Sequence, residues 1–315
     1  MKLLFLGTSS GVPTLSRNVS ALAVLFDQTG EWWLIDCGEG TQQQVLKAGL
    51  ALSRLRRIFI SHFHGDHCYG LPGLLASRGM QTGSGPLDVY GPKGITAFLK
   101  GIFAHSGAHP AYPLEVHEPI LPALLCEDDE YAMRAVEVPH RGPSTAYVLT
   151  EKPRAGRFKV EEAHALRIPP GPLFGRLKNG ETVTLPDGRV IDGSTLVEAP
   201  RPGRKAVIAC DTYDARAVLA DAQHATVIVH EATFSAREGD LPRQRGHASA
   251  ADAGRFAREA QASQLILTHF SPRYDNPQAG SGTIQELIKE AEAEFAPGRV
   301  IAAKDFWEYE LPKIS

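Results

Sequence analysis

The sequence predicts an α/β fold, because short apolar runs typical of β-strands recur along the chain and segments with helical patterns lie between them. The strand-like runs cover residues 2–6, 21–26, 32–35, 57–60, 87–90, 133–138, 146–149, 206–209, 226–229, 264–267 and 300–303. The helical patterns cover residues 71–78, 95–103, 215–220, 248–261 and 284–295. This layout predicts helices packed on sheets.

The composition is that of a globular protein. The 315 residues are 43% hydrophobic and 22% charged, with a formal net charge of -3, which argues against disordered and fibrous classes. At ~100–200 residues per domain, this length predicts one large domain or two smaller ones. The first apolar run, residues 3–6, is shorter than the ~7–15 residues of a signal-peptide core, and no segment approaches the ~18 of a membrane span. We therefore expect a cytoplasmic protein that does not associate with membranes.

Cysteine spacing and net charge exclude two further classes of protein. Cys37, Cys68, Cys126 and Cys210 form no C-x-x-C pair, so the sequence predicts neither a disulfide framework nor a thiolate zinc site. The near-neutral net charge argues against a protein that coats nucleic acid, since such binding depends on Lys and Arg at phosphates. One local basic patch remains compatible with this charge.

Residues 151–205 differ from the rest of the chain in composition. They contain 14 of its 52 Gly and Pro residues, and their 11 Lys and Arg face 7 Asp and Glu, which makes the segment net +4. Residues 182–185 and 189–191 flank a Pro-Asp-Gly turn and predict a small hairpin. We expect a protruding basic arm here, inserted into a domain formed by residues 1–150 and 206–315; the alternative is a flexible surface loop.

The most informative cluster consists of His62, His64, Asp66 and His67, directly after the strand-like run 57–60. Three imidazoles and a carboxylate within six positions form a nitrogen and oxygen ligand set suited to zinc or a similar divalent ion. In an extended backbone His62 and His64 share one side, whereas Asp66 and His67 lie where a helix begins. The cluster therefore predicts two metal ions side by side.

Two ions need more ligands than this cluster supplies. His140, Asp211 and His269 each follow a strand-like run, the position that active-site groups usually occupy in α/β proteins. Each of them alone is typical of a polar residue that ends a strand. Together with the His62–His67 cluster they predict one metal centre.

The pattern H-x-H-x-D-H after a strand, with a later His, Asp and His, resembles the metallo-β-lactamase superfamily, whose fold is an αβ/βα sandwich with a dinuclear zinc site. Further motifs resemble one of its families, ribonuclease Z, the tRNA 3′-processing endonucleases. These motifs are the loop 7–18, the H-E-A-T sequence 230–233, the loop 247–249, the sequence 269–274, and the Gly/Pro motif 169–175, which is similar to the family's flexible tRNA-binding arm. The loop 247–249 has Ala248 where the family usually has Ser.

The resemblance implies a role for each site residue. His62, His64 and His140 would hold one Zn²⁺, Asp66, His67 and His269 a second, and Asp211 would bridge both, with Mn²⁺ or another divalent ion able to substitute. Asp66 would be the proton acceptor that generates or orients a metal-held hydroxide, and His247 with Glu231 would protonate the leaving oxygen or bind phosphate. The implied phosphate or tRNA contacts are Thr8, Arg17, Asn18, Thr233, Arg273, Gly171 and Pro172.

The implied activity is a zinc-dependent endoribonuclease that removes the 3′ trailer from precursor tRNA, acting as a homodimer. The cut would follow the discriminator base and leave a 3′-hydroxyl on the tRNA and a 5′-phosphate on the trailer. A small-molecule phosphodiesterase of the same fold is the main alternative, since the whole site would serve it equally well. A non-catalytic RNA-binding module with structural metals is a third interpretation.

Overall fold

The computed structural model describes residues 1–81, 84–107, 109–153, 155–275 and 282–313. The chain divides into two compact units, one formed by Met1–Thr150 with Lys205–Pro312 and the other by Glu151–Arg204 with Lys313. Within the described ranges, every helix is too short or too polar to cross a membrane.

The strands follow one another along the whole chain. Their bounds are β1 Lys2–Gly7, β2 Ala21–Leu25, β3 Trp32–Ile35, β4 Leu55–Phe59, β5 Leu87–Tyr90, β6 Leu114–His117, β7 Ala123–Glu127, β8 Tyr131–Pro139, β9 Pro143–Glu151, β10 Thr182–Thr184, β11 Val190–Asp192, β12 Lys205–Ile208, β13 Val227–Glu231, β14 Gln264–Thr268, β15 Arg299–Ala302 and β16 Glu308–Glu310. The helices are α1 Thr41–Lys47, α2 Gly65–Cys68, α3 Leu71–Gly79, α4 Ile95–Ser106, α5 Val160–Ala165, α6 Pro172–Lys178, α7 Leu219–Ala222, α8 Leu241–Arg245, α9 Ala250–Glu259 and α10 Ile284–Phe295.

The large unit contains two sheets, each with seven described strands. The first has the order β16-β1-β2-β3-β4-β5-β6, and the second has the order β15-β14-β13-β12-β9-β8-β7. Strands β12 to β15 run parallel to one another, as do β3 to β6, whereas β12 is antiparallel to β9 and β3 is antiparallel to β2. Because parallel strands end at the same edge of a sheet, the loops that follow β12, β13 and β14 lie side by side.

Alternating side chains divide the apolar core into three layers. Phe5 and Trp33 of the first sheet pack in one cluster with Tyr147 and Val229 of the second. Residues that alternate with them on β1 and β3 pack with α1, α3 and α4, and the other face of the second sheet packs with α9 and α10. Since side chains point to opposite faces of a strand in turn, each sheet buries both faces. This arrangement is an αβ/βα sandwich and confirms the predicted α/β class.

Local signals explain where the predicted helices differ from the observed ones. The predicted helix 248–261 begins at Ala250, because the Ser249 side chain accepts the Asp252 N–H in a capping box. The predicted helix 215–220 is a 3-10 turn, Ala215–Val218, followed by α7. Helices α1, α5, α6 and α8 and strands β6, β7 and β16 were not predicted from the sequence.

The smaller unit has a core of its own. Its buried residues include Ala163 of α5, Leu177 of α6 and Val183 of β10. Strand β10 pairs antiparallel with β11 through Val183 and Ile191, which confirms the predicted hairpin. The role of this segment as a tRNA-binding arm stays a prediction.

Candidate metal centre

The seven predicted metal ligands converge at one edge of the large unit. His62 and His64 follow β4, and Asp66 and His67 lie in the short helix α2. His140 follows β8, Asp211 follows β12, and His269 follows β14. His64 is exposed, Asp66 is half-buried and the other ligands are buried. The centre therefore opens to solvent beside residues 64–66.

One group of ligand atoms belongs to His62, His64, His140 and Asp211. Nδ1 of His64 lies 2.9 Å from Nε2 of His62 and 3.1 Å from Nε2 of His140. Oδ2 of Asp211 lies 3.9 Å from the His62 nitrogen and 4.0 Å from the His140 nitrogen. Three imidazole nitrogens and one carboxylate oxygen thus surround one point.

A second group belongs to Asp66, His67 and His269, with Asp211 again beside it. Nε2 of His67 and Nε2 of His269 are 3.3 Å apart, and they lie 3.5 and 3.3 Å from Oδ2 of Asp66. Asp211 reaches His67 through Oδ2 at 3.3 Å and His269 through Oδ1 at 3.4 Å. The Asp211 carboxylate therefore contacts both groups, and its role as a bridging ligand stays a prediction.

These distances fit two divalent ions. A tetrahedral ion with bonds of about 2.0–2.1 Å to nitrogen and oxygen separates its ligand atoms by about 3.3–3.4 Å. The separations of 2.9 to 4.0 Å between the ligand atoms bracket that value. Burial also lowers the pKa of the His62 imidazole, to about 2, and the pKa of the His140 imidazole. Both rings are then neutral, which is the form that binds a metal.

In each buried histidine of the centre, the ring nitrogen that faces away from the other ligands has a hydrogen-bond partner. Nδ1 of His62 contacts Ser61 Oγ at 3.0 Å, and Nδ1 of His140 contacts the Gly246 carbonyl oxygen at 2.5 Å. Nδ1 of His269 lies 2.9 Å from Oγ1 of Thr233. Such partners orient metal-binding imidazoles and select their tautomer.

Asp36, which the sequence analysis missed, connects both ligand groups. Its carboxylate accepts the Ser61 N–H at 2.7 Å, the Ser61 hydroxyl at 2.9 Å and Nδ1–H of His67 at 2.7 Å. The residue is buried at the end of β3, where its φ of 58° turns the chain. Its signal was available, because Asp36 directly follows the strand-like run 32–35, as the predicted ligands follow theirs.

Glu231 and His247 form an ion pair beside the centre. Nδ1 of His247 lies 3.1 Å from Oε1 of Glu231 and 3.7 Å from Oδ2 of Asp211. Burial opposes the charged imidazole, but the Glu231 carboxylate outweighs it and raises the pKa of His247 to about 9. Among the described residues, Nε2 of His247 has no hydrogen-bond partner, and the side chain is partly exposed. His247 therefore has a free N–H for a molecule in the site.

The N-terminal loop touches the centre through its backbone. The Gly11 N–H donates to Oδ2 of Asp66 at 2.7 Å. Thr8 and Arg17 are buried in an internal network, in which Arg17 donates to Thr8 Oγ1 and to Asp275, and Thr8 donates to Asp305. Their predicted contact with phosphate stays a prediction.

The other residues predicted to contact phosphate or tRNA lie at several separate positions. Asn18 donates its backbone N–H to Asp305 and its side-chain amide to the Glu39 carbonyl. The Thr233 hydroxyl is shared between Glu231 and the His269 loop. Arg273 binds Glu238 and lies over the Phe234 ring. In the smaller unit, Gly171 precedes Pro172 at the start of α6 with a φ of 141°, which favours glycine.

Comparisons with known proteins agree with this geometry. The model of the family described as Anti-Pycsar protein Apyc1 matches residues 1–101. The chain is 49% identical to Ribonuclease Z of Synechococcus sp. (strain WH7803), over 97% of this chain and 95% of that protein. It is 47% identical to Ribonuclease Z of Brevibacillus brevis, over 92% and 91% of the two chains.

Solved structures share the same architecture. The crystal structure of the short form of human tRNase Z superposes with a TM-score of 0.70 at 27% identity, covering 99% of this chain and 100% of that one. The metallo-β-lactamase fold protein YhfI from Bacillus subtilis superposes with a TM-score of 0.65 at 20% identity, covering 98% and 99%, a likeness that concerns the fold alone. The sandwich, the two ligand groups and the near full-length identity lead to one conclusion: this chain belongs to the ribonuclease Z family and has the metallo-β-lactamase fold.

Proposed function

We propose that this protein is an endoribonuclease that removes the 3′ trailer from precursor tRNA. The cut follows the discriminator base and leaves a 3′-hydroxyl on the tRNA and a 5′-phosphate on the trailer. The observation that carries this proposal is the convergence of the seven ligands on two adjacent groups in a chain that matches ribonuclease Z proteins over nearly its whole length.

The residues present would hold two divalent ions, and we propose Zn²⁺, with Mn²⁺ able to substitute. The first group offers three imidazoles and the second offers two imidazoles and a carboxylate, with Asp211 between them. When bound, two such ions lower the pKa of a water molecule and neutralise charge on the phosphate during an in-line displacement. Nitrogen and oxygen donors of this kind suit zinc and manganese better than copper(I), which prefers sulfur.

Asp66 is placed to accept the proton of the attacking water. Burial opposes its ionisation, but hydrogen bonds from His269 and His67 outweigh it and hold the pKa of Asp66 well below its usual range. Its Oδ2 atom also accepts the Gly11 N–H, which keeps the carboxylate in one orientation. An ionised, oriented carboxylate at the open side of the centre would orient the attacking water, and its low pKa makes it a weak base that would take the proton only from a water acidified by the bound ions.

His247 is placed to protonate the leaving oxygen. Glu231 holds Nδ1 of its ring, which leaves Nε2–H to donate to the 3′ oxygen of the tRNA as the P–O3′ bond breaks. Thr212 donates its backbone N–H to Oε1 of Glu231 at 2.8 Å, so the carboxylate that orients His247 is itself fixed. The water adds one hydroxyl to phosphorus, and its proton goes to Asp66.

The substrate is a polyanion, and the charge of residues 151–205 suits it. This segment is net +4, whereas the whole chain is net -3, so basic residues are concentrated where the resemblance implies the tRNA-binding arm. Gly171 and Pro172 would let the arm backbone approach the RNA, and Thr8, Arg17, Asn18, Thr233 and Arg273 stay the proposed contacts nearer the centre. We also propose a cytoplasmic homodimer in which each arm serves the partner's active site.

The decisive experiment compares precursor tRNA and bis(p-nitrophenyl) phosphate as substrates of the metal-loaded protein and of Asp66→Ala. The exposed carboxylate of Asp129 provides a matched control, Asp129→Ala. We expect a single cut after the discriminator base, lost in Asp66→Ala and retained in the control, with metal content measured for each protein. Hydrolysis of the small diester alone would contradict the tRNA substrate and favour the phosphodiesterase alternative.

Deleting the arm tests its role separately. Thr150 and Lys205 are paired neighbours on β9 and β12, so an Asn-Gly turn can replace residues 151–204 without moving either strand. We expect the deletion to retain hydrolysis of the small diester and to lose cleavage of precursor tRNA. Equal loss of both activities would contradict the proposed arm.

A further inference from the structure

Exposed aromatic side chains are concentrated beside the metal centre. Within the described ranges, the large hydrophobic side chains that are exposed include three aromatic ones, Phe63, Tyr69 and Phe306, at 39%, 65% and 43%. Phe63 and Tyr69 belong to the same short segment as the four clustered ligands. Aromatic rings exposed beside a polar site can stack on a flat ligand.

Phe63 lies between two ligands of the first group, His62 and His64. One edge of its ring packs against Phe98 of α4, with ring centres 5.8 Å apart and planes at 61°. The ring also lies close to Gly94, where a Cβ atom would be 3.6 Å from it. The backbone is held as well, because the Cys68 thiol contacts the Phe63 carbonyl oxygen at 3.5 Å. The ring is therefore supported on one side and open on the other.

Tyr69 covers the backbone that joins the two ligand groups. It follows α2, and its ring lies on Gly65, where a Cβ atom would be only 2.4 Å from Cε2. Only glycine leaves room for the ring there. Gly65 stands between His64 and Asp66, one ligand from each group, so Tyr69 lies at the opening of the centre. Most of its ring remains exposed.

We propose that Phe63 and Tyr69 stack on the unpaired nucleobases on either side of the scissile phosphate. The inference rests on the proposed function, because it assumes an RNA substrate at the centre. Aromatic rings bind unpaired bases by stacking, and the interaction tolerates any base because every base has a flat face. The two rings would hold the discriminator base and the first trailer base apart, which would leave the phosphate between them at the metal ligands.

The test measures binding of the metal-loaded protein rather than cleavage, with a non-hydrolysable linkage at the scissile phosphate so that the RNA stays intact. Fluorescence anisotropy gives the dissociation constant of precursor tRNA for the wild type, Phe63→Leu, Tyr69→Leu and the matched control Phe306→Leu. The same series is repeated with RNA that lacks the discriminator base or the first trailer base. Metal content of the reloaded proteins and their melting temperatures report whether the substitutions disturb the ligands. Phe63→Tyr and Tyr69→Phe retain an aromatic ring and should bind as the wild type does.

We expect Phe63→Leu and Tyr69→Leu to weaken binding of intact RNA by about 5- to 150-fold each, the change that corresponds to about 1–3 kcal/mol per stacked base. Each loss should disappear with only one of the two base-deleted RNAs. The missing base should be a different one for each ring. Losses no greater than that of Phe306→Leu, or equal losses on intact and base-deleted RNA, would overturn the proposal. A change in oligomeric state, seen by light scattering without a base-dependent loss, would assign the rings to a protein contact instead.

The proposed function can fail independently of this inference. If the metal-loaded wild type binds precursor tRNA with the expected base dependence and does not cut it, the stacking surface stands and the endonuclease proposal falls. If the wild type cuts at the expected position and both leucine variants bind as the control does, the endonuclease proposal stands and the stacking surface falls.

Discussion

Asp36→Asn should weaken metal binding although Asp36 is not a proposed ligand. The carboxylate is buried and accepts three hydrogen bonds, from the Ser61 N–H, the Ser61 hydroxyl and Nδ1–H of His67. Ser61 in turn contacts His62. Because His62 and His67 belong to different ligand groups, one carboxylate orients a ligand of each.

The size of the effect follows from these contacts. Oδ1 accepts one of the three hydrogen bonds and Oδ2 accepts two, so an NH₂ group in either place turns at least one buried acceptor into a donor that faces another donor. Each such loss costs about 1–3 kcal/mol of unfolding free energy. Loss of a residue that orients metal-binding histidines typically lowers metal affinity by about 10- to 100-fold.

The assay is competition for Zn²⁺ against a chromogenic chelator, with urea unfolding of the metal-free protein measured alongside. Asp27→Asn is the matched control, since Asp27 is exposed and its ion pairs with the Met1 amino group and Lys2 are long, at 3.6 and 3.9 Å. A zinc affinity of Asp36→Asn within about 3-fold of the wild type would refute the reasoning, because an effect of orientation predicts at least about 10-fold.

Three more predictions concern stability. Gly246→Ala should lower both stability and zinc affinity. Gly246 has a φ of 82°, which favours glycine, and a Cβ atom there would lie 3.0 Å from Nδ1 of His140, the proposed ligand whose ring the Gly246 carbonyl orients. Glu151→Gln should cost about 3–5 kcal/mol of unfolding free energy, because the buried carboxylate binds the buried Arg204 guanidinium at 2.6 and 3.0 Å. Asp275→Asn should destabilise the protein at neutral pH. Burial opposes the charge of Asp275, but its hydrogen bonds outweigh burial and lower its pKa. The difference in unfolding free energy between Asp275→Asn and the wild type should therefore shrink as the pH falls from about 3.9, the pKa of an unfolded Asp, through the lower pKa of the folded state.

Each of these predictions has a control. Gly180→Ala has nearly the same φ of 77° but open space around the new methyl group, so an equal loss of zinc affinity in both glycine variants would contradict the contact argument. Glu181 forms an exposed pair with Arg176, and Glu181→Gln should cost under about 1 kcal/mol. Urea unfolding that gives Glu151→Gln the same small cost would contradict the buried pair. A difference for Asp275→Asn that is independent of pH would show that charge is not its origin.

Local pattern was sufficient to predict helices packed on sheets and the candidate metal ligands, whereas the sandwich and the role of each ligand came from the resemblance to the metallo-β-lactamase superfamily. A short apolar run is a property of neighbouring residues, so strands such as β3 and β5 were predicted with their observed bounds. His62, His64, Asp66 and His67 lie within six positions, and their side chains diverge for reasons of backbone geometry alone. His140, Asp211 and His269 were predicted because each follows a strand-like run and all three occur together with this cluster.

Only the tertiary structure decided which side chains orient these ligands. Asp36, Gly246 and Thr233 reach their histidines from other loops or across many residues, and no spacing rule connects such pairs. Thr8 and Arg17 show the same limit, because their hydrogen bonds to Asp305 and Asp275 join opposite ends of the chain. The sequence alone determined the chemistry of the donor atoms, since residue type sets it. Their distances, burial and protonation depend on how the two sheets pack, because packing brings distant segments within hydrogen-bonding range and removes water from between them.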